Sequence, residues 1–205
     1  SEAILENNKV IESEPDLTKP SSSSTNPSGL YMSTSTIGEK PTYYFRGVVE
    51  NNYVDFAGFT WRIVRINEDG TVRLILSTGI NNDTTYAFTD NKSDVKYMYY
   101  TNSEVKNTLE TWYKEKLASF SSKIATGDYY CEQAKVREAS DFSGGSVSLV
   151  NYNKYTPTFV CSEDANKYGV VNSNIGLINY DEVVHAGGSA AGINKNYYLY
   201  YHGKD

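Results

Sequence analysis

The sequence predicts an α+β domain with a central antiparallel hairpin sheet and two helices. Aromatic and β-branched runs separated by turn residues fill residues 42–76 and indicate strands. After residue 102 the apolar residues recur at spacings of three and four, which indicates an amphipathic helix. Hydrophobic residues make up 39% of the 205-residue chain, so a core can form.

The first 41 residues differ in amino-acid composition from the rest of the chain. They contain a serine run at residues 21–24 and few apolar residues. They are also punctuated by Pro15, Pro20, Pro27 and Pro41. This composition predicts a disordered tether or linker over residues 1–41 that contributes little to the core. The alternative is a short helix or docking segment beginning at Ala3-Ile4-Leu5. The folded α+β binding domain is expected to occupy residues 42–205.

Four strands are predicted at the start of that domain. Two cover residues 43–50 and 53–58, and residues 60–66 and 71–76 form a hairpin in which Gly70 supplies a positive φ. Ile63 and Val64 are adjacent and fall on opposite faces of their strand. The hairpin is therefore predicted to lie centrally, covered on both sides.

Two helices follow. The first is indicated by Val105, Leu109, Trp112, Tyr113, Leu117 and Phe120, with Ser103 or Asn102 as its N-cap. The second is short and covers residues 179–184, where Asn179 caps and Glu182 stands three residues on. Gly187-Gly188 ends it. The polar stretch between the helices is predicted to be a surface loop.

The chain has two cysteines, Cys131 and Cys161. Their separation fits neither a CxxC redox site nor a zinc site, and no histidine is near them in sequence. A structural disulfide between them is predicted, worth roughly 3 to 4 kcal/mol on the chain-entropy argument. Two buried free thiols in a cytosolic protein are the alternative.

No catalytic residue, cofactor or metal site is predicted. His185 stands before a glycine stop, a position typical of a partner for the helix dipole, and neither it nor His202 lies in a nucleophile signature. The glycine pairs do not form a phosphate-binding loop. Oxygen-bearing residues at 81–83 and 90–91 could bind calcium, but their spacing is not that of an EF-hand and favours a solvated loop.

Charge and aromatic content narrow the class of partner. The net charge is −6 and the pI is near 5.0, which argues against nucleic acid and anionic membranes. No run of 18 apolar residues is present, so no membrane span is predicted in this chain. Nineteen tyrosines dominate the aromatic residues. Those in loops 94–101 and 141–156 are the ligand-binding candidates, namely Tyr97, Tyr99, Tyr100, Tyr152 and Tyr155. Alternatively, these rings fold back over the core.

The stretch at residues 43–70 carries a resemblance to a known family. It includes Tyr43-Tyr44-Phe45-Arg46-Gly47 and Trp61-Arg62-Ile63-Val64-Arg65-Ile66, and it is similar to the opening of a domain of unknown function common in secreted proteins of gut Firmicutes. Residues 111–113, 157–161 and 175–188 resemble the same family in the same order. The similarity covers about residues 42–201. Such domains resemble, more distantly, the C-type-lectin-like fold shared with formylglycine-generating enzymes and the fibrobacter major paralogous domain.

The resemblance implies a C-type-lectin-like mixed fold outside a Gram-positive cell, in adhesin-like or pilin-like contexts. It does not imply an activity. The family usually continues past residues 197–201 into a Trp-containing Ser-Pro segment and closing strands, which are absent here. We therefore expect either an incomplete domain or an assembly partner that completes the sheet.

The leading hypothesis is an extracellular, secreted or cell-surface module that works in adhesion by binding a glycan or a protein and is not an enzyme. A structural pilus or surface-assembly subunit is the alternative. A hydrolase or oxidase with an unrecognised site is the further alternative. Binding is favoured by Tyr-rich and Asn-rich loops on a disulfide-stapled scaffold.

Overall fold

A six-stranded mixed sheet is the centre of the molecule. The computed structural model describes residues 1–17, 19, 21, 26–33, 40–90, 99–131, 157–159, 170–188 and 196–200. These residues form an α+β fold, which confirms the predicted class. The strands are β1 (Val10–Ile11), β2 (Gly29–Ser33), β3 (Thr42–Arg46), β4 (Tyr53–Phe56), β5 (Phe59–Ile66) and β6 (Val72–Leu76).

The strand order is β1-β2-β3-β5-β4, and β6 also pairs with β5. Only β1 and β2 are parallel in this sheet; its other pairs in the described residues are antiparallel. The four strands predicted over residues 43–76 are confirmed as β3 to β6. Strand β5 lies in the middle, because it pairs with β6 and with both β3 and β4.

Two hairpins form as their turn residues dictate. Ala57 and Gly58 link β4 to β5 with φ values of 54° and 80°, the left-handed pair that a two-residue hairpin turn requires. The predicted turn between β5 and β6 is confirmed, with Gly70 at φ 83°. There the Asp69 carboxylate accepts a hydrogen bond from the Thr71 backbone N–H at 2.8 Å.

A β-bulge in β5 sorts the side chains onto two unlike faces. Ile63 pairs with Leu74 and Arg65 with Arg73, so the register shifts at Val64. Without this extra residue, Arg62 and Arg65 would point to opposite faces. With it, one face of the sheet is apolar and the other carries the buried Arg46, Arg62 and Arg65 together with Arg73, whose side chain is 9% exposed.

Helices α1 (Glu2–Asn7) and α3 (Glu104–Lys116) cover the apolar face. Ile4 and Leu5 of α1 pack against the cluster that contains Leu30, Phe45 and Ile63. Trp112 of α3 packs on Trp61, with ring centroids 6.3 Å apart. The predicted amphipathic helix is confirmed, and its N-cap is Ser103, whose side chain accepts from the Lys106 backbone N–H.

Helix α4 (Tyr180–His185) covers the arginine face, and the predicted capping box of Asn179 and Glu182 is confirmed. At its other end, Arg46 donates hydrogen bonds to the carbonyls of Val184 at 2.7 Å and His185 at 3.1 Å. The last carbonyls of a helix have no partner within the helix. The buried Arg46 of β3 therefore supplies hydrogen-bond donors to carbonyls at the C-terminal end of α4.

The prediction that residues 1–41 contribute little to the core is wrong for the described part of that segment. Strand β2 pairs along its whole length with β3, and its Leu30 is 2% exposed. Arg46 also donates to the Lys19 carbonyl at 2.8 Å. A few apolar residues in one short strand are enough to enter the core, and the surrounding Ser and Pro residues obscure them in the composition.

The polar stretch between α3 and α4 is also not all loop. Strands β7 (Gly127–Cys131) and β8 (Val170–Ser173) form a small antiparallel sheet, and Val171 of β8 is buried. A further short helix, α2 (Ile80–Asp83), lies in the predicted loop after β6. Cys161 lies outside the described residues, so the disulfide with Cys131 stays a prediction.

Candidate functional site

Two of the five tyrosines predicted to bind ligand, Tyr99 and Tyr100, lie among the described residues. Tyr97, Tyr152 and Tyr155 lie outside the described residues. Tyr99 is half-buried at the start of a 3-10 turn. Tyr100 is buried against Leu109 and Val171, and its hydroxyl donates to the Ile175 carbonyl at 3.1 Å. The prediction is therefore wrong for Tyr100, whose ring folds into the core.

Two other aromatic residues are exposed on the same connection between β6 and α3. Tyr86 is 36% exposed and Phe88 is 37% exposed, on residues 84–90, which we call the aromatic loop. Exposed aromatic side chains on a loop are a frequent mark of a binding surface. The sequence signal for this surface is a Tyr-x-Phe pair, Tyr86 and Phe88, within a polar stretch.

The aromatic loop is fixed at its N-terminal end. Ile80 of α2 packs against the Trp61 and Trp112 cluster. From the same helix, the Asn81 amide donates to the Tyr86 hydroxyl at 2.7 Å, and the Thr84 hydroxyl donates back to the Asn81 carbonyl at 2.6 Å. Asn81 has a φ of 50°, a left-handed conformation that asparagine tolerates better than most residues.

The loop is fixed at its C-terminal end by α3. The Phe88 carbonyl accepts hydrogen bonds from the backbone N–H groups of Glu104 at 3.1 Å and Val105 at 3.4 Å. These are the first two residues of the helix, whose N–H groups have no partner within it. The loop therefore holds two aromatic side chains at the surface in a defined position.

A buried ionic cluster lies on the opposite side of the sheet. The Glu182 side chain is fully buried and forms an ion pair with the guanidinium of Arg73. Arg73 Nη2 also donates to Oε2 at 3.0 Å, and the Asn179 backbone N–H donates to the same oxygen at 3.0 Å. Burial acts to raise the pKa of Glu182, but Arg73 and Arg65 outweigh it and hold that pKa below its ordinary value.

Two guanidiniums in this cluster share one carboxylate. Arg65 Nε lies 3.8 Å from Glu182 Oε1, and burial lowers the pKa of Arg65. Aromatic rings add to the compensation, because Arg65 lies 5.0 Å from the Phe159 ring centroid and Arg73 lies 4.4 Å from that of Tyr130. These charged groups pair with one another, and Glu182 lies on α4 whereas both arginines lie on the sheet. The cluster therefore holds α4 against the sheet.

His185 is a neutral core residue. Its ring stacks on Phe159 with centroids 3.9 Å apart and meets the edge of Tyr44 at 4.9 Å. Nδ1 donates to the Asp181 carbonyl at 2.8 Å, so the proton sits on Nδ1. Burial lowers the pKa of His185 to about 4. The prediction of a charged partner for the helix dipole is therefore wrong.

The depressed pKa of His185 makes stability depend on pH. The unfolded residue takes up a proton near pH 6.5, whereas the folded one does so only near pH 4. The free energy of unfolding is therefore expected to fall by about 3 kcal/mol as the pH drops through that window. Arg46 and Arg65 oppose protonation and Glu182 favours it.

Urea denaturation at pH 7.5, 5.5 and 4.5 checks this expectation. The variant His185→Gln removes the titrating group, so its curve should lose the steepest part of the dependence between pH 6.5 and 4. Parallel curves for the two proteins would show that another group is responsible.

The part of the chain that the structure describes contains neither a metal-binding cluster nor a membrane-spanning helix. There, no group of three or more His, Cys, Asp or Glu side chains could hold a metal ion. Asn91, one of the oxygen-bearing residues that could bind calcium, lies outside the described residues. None of the helices in the same residues is long and apolar enough to cross a bilayer.

No family model, curated protein or solved structure matches this chain. The resemblance to a secreted Firmicutes domain therefore stays a prediction.

Proposed function

We propose that this chain is an extracellular binding module that recognises a glycan through the aromatic loop. The observation that carries the proposal is the pair of exposed rings, Tyr86 and Phe88, on a loop fixed at both ends. An extracellular, adhesin-like role is supported by the resemblance and by the predicted disulfide. A C-type-lectin-like fold belongs to the same proposal.

The chemistry of the loop suits a ligand with both apolar and hydroxyl surface. An aromatic ring offers a flat apolar face against which the C–H groups of a sugar can pack. Thr84, Thr85 and Asp90 are exposed around the rings and can exchange hydrogen bonds with hydroxyl groups. A few polar groups around an apolar contact are typical of small-ligand sites.

The fixed geometry favours affinity. A mobile loop loses conformational entropy when it binds, whereas a loop already held by hydrogen bonds loses less. The bond from Asn81 to the Tyr86 hydroxyl and the bonds from α3 to the Phe88 carbonyl supply this order. The charged groups of the buried ionic cluster contact one another, so that cluster does not present a comparable binding surface.

A glycan array tests the proposal. The wild-type protein is expected to bind a subset of glycans, and the double variant Tyr86→Ala/Phe88→Ala is expected to lose that binding. Leu177→Ala is the matched control, because Leu177 is also exposed, at 41%, but lies outside the aromatic loop. Its binding should equal that of the wild type.

Three results would speak against a glycan-binding loop. The array could show no glycan binding, the double variant could bind as the wild type does, or both variants could lose binding equally. Concentration-dependent polymerisation of a protein that binds no glycan would favour the alternative of a surface-assembly subunit.

A further inference from the structure

A groove of about 430 Å³ lies between the N-terminal segment and the connection from β3 to β4. Asn8 and Lys9 form one wall, residues 48–51 form the other, and residues 28–30 lie between them. The volume is in the range of small-ligand sites. The groove exists because the N-terminal segment folds onto the sheet.

Hydrogen bonds tie the walls of the groove together. The Asn51 amide donates to Asn8 Oδ1 at 2.6 Å, which links the two walls directly. The Val48 backbone N–H donates to Ser28 Oγ at 2.9 Å, which links the second wall to the start of β2. The Val49 carbonyl accepts from the buried Arg62 guanidinium at 2.6 Å. The groove therefore has a defined shape without a ligand.

The charges of the groove are opposite and lie on opposite walls. Lys9 and Glu50 are both exposed and both line it. On the same wall as Glu50, Val48 offers an exposed aliphatic side chain, and Leu30 and Val49 lie beneath the surface. A ligand that satisfies all of these groups carries a carboxylate, an ammonium group and an aliphatic portion.

We propose that this groove binds a small zwitterion, a free amino acid or short peptide with an aliphatic side chain. Lys9 contacts the ligand carboxylate and Glu50 contacts its ammonium group. Among the described residues that line the groove there is no aromatic side chain, so the stacking that favours a sugar at the aromatic loop has no counterpart there. A groove with one lysine and one glutamate has no net positive charge and is also a poor site for phosphate groups. The inference is independent of the proposed glycan site.

Isothermal titration calorimetry with L-leucine, L-alanyl-L-leucine and the corresponding tripeptide tests this inference. Saturable binding of at least one of them is expected, and the preferred length reports the separation of the two charges. N-acetyl-L-leucine amide lacks both charges and should not bind. Lys9→Gln and Glu50→Gln should each weaken binding about tenfold, as expected for loss of one charge-assisted hydrogen bond.

The matched controls are Lys116→Gln and Glu115→Gln, which remove exposed charges from α3; they should bind as the wild type does. The Lys9→Gln effect should also disappear for L-leucine amide, which has no carboxylate.

The inference is overturned if none of the three zwitterions binds, if the blocked amide binds equally well, or if the control variants lose as much affinity as the groove variants. Galactose binding that Lys9→Gln or Glu50→Gln abolishes would equally overturn it in favour of a sugar. Glycan binding at the aromatic loop should be unchanged in both groove variants, so the two proposals can fail separately.

Discussion

Replacing Glu182 by alanine is expected to lower the free energy of unfolding by about 3 to 5 kcal/mol, the range for a buried ion pair that loses one partner. The change leaves Arg73 and Arg65 buried without their carboxylate. It also removes the bond to the Asn179 backbone N–H, half of the α4 capping box. Urea denaturation at pH 7 measures the loss.

A second substitution separates charge from capping. Glu182→Gln can still accept a hydrogen bond from the Asn179 N–H but carries no charge. It should therefore keep the stabilisation from the cap, about 1 kcal/mol, and lose the stabilisation from the ion pairs. Glu115→Ala, an exposed glutamate of α3, is the control and should change stability by less than about 0.5 kcal/mol. Similar stabilities for Glu182→Ala and Glu115→Ala would refute the role given to the cluster.

Leu30→Ala is expected to destabilise the protein by about 2 to 5 kcal/mol, as large-to-small changes in a core do. Leu30 packs against Phe45 and Ile63 under α1. Met32→Ala is the matched control, because Met32 is on the same strand but 41% exposed. Thermal unfolding of both variants compares a core position with a surface position of β2.

The same measurement distinguishes the two accounts of the N-terminal segment. A tether would leave the melting temperature nearly unchanged when residues 1–33 are deleted, whereas loss of β2 and of the Lys19 contact to Arg46 should destabilise the fold strongly. If neither Leu30→Ala nor the deletion changes the melting temperature, the N-terminal segment is a tether that contributes little to the core.

The elements that sequence analysis predicted correctly are those with local signals. Gly70 marks a turn because the chain needs a positive φ there, and Asn179 with Glu182 marks a helix start because both act on neighbouring N–H groups. The spacing from Leu109 to Trp112 likewise shows one face of α3. None of these depends on a distant part of the chain.

The features that sequence analysis missed depend on distant pairing. Strand β2 is stabilised by β3 across an eight-residue connection, and β7 by β8 across residues 132–169. The bulge at Val64, which places Arg62 and Arg65 on one face, follows from register with β6 and leaves no mark in the pattern of β5. Pairing between distant strands cannot be deduced from the periodicity of either strand.

The candidate site shows the same division. Tyr100 and Tyr86 both lie in a polar stretch, yet one ring is buried against Leu109 and the other is exposed. The difference comes from the position of α3, whose core-facing residues enclose Tyr100. Composition could therefore indicate that the region is aromatic but not which rings reach solvent.

The most direct test of glycan recognition by the aromatic loop is the dissociation constant of the best glycan for single variants. Tyr86→Ala and Phe88→Ala should each weaken binding at least tenfold, because aromatic anchors of this kind contribute most of the affinity at binding surfaces. Leu177→Ala should not change it. If the two ring variants bind the glycan as tightly as the wild type, the aromatic loop is not the binding site.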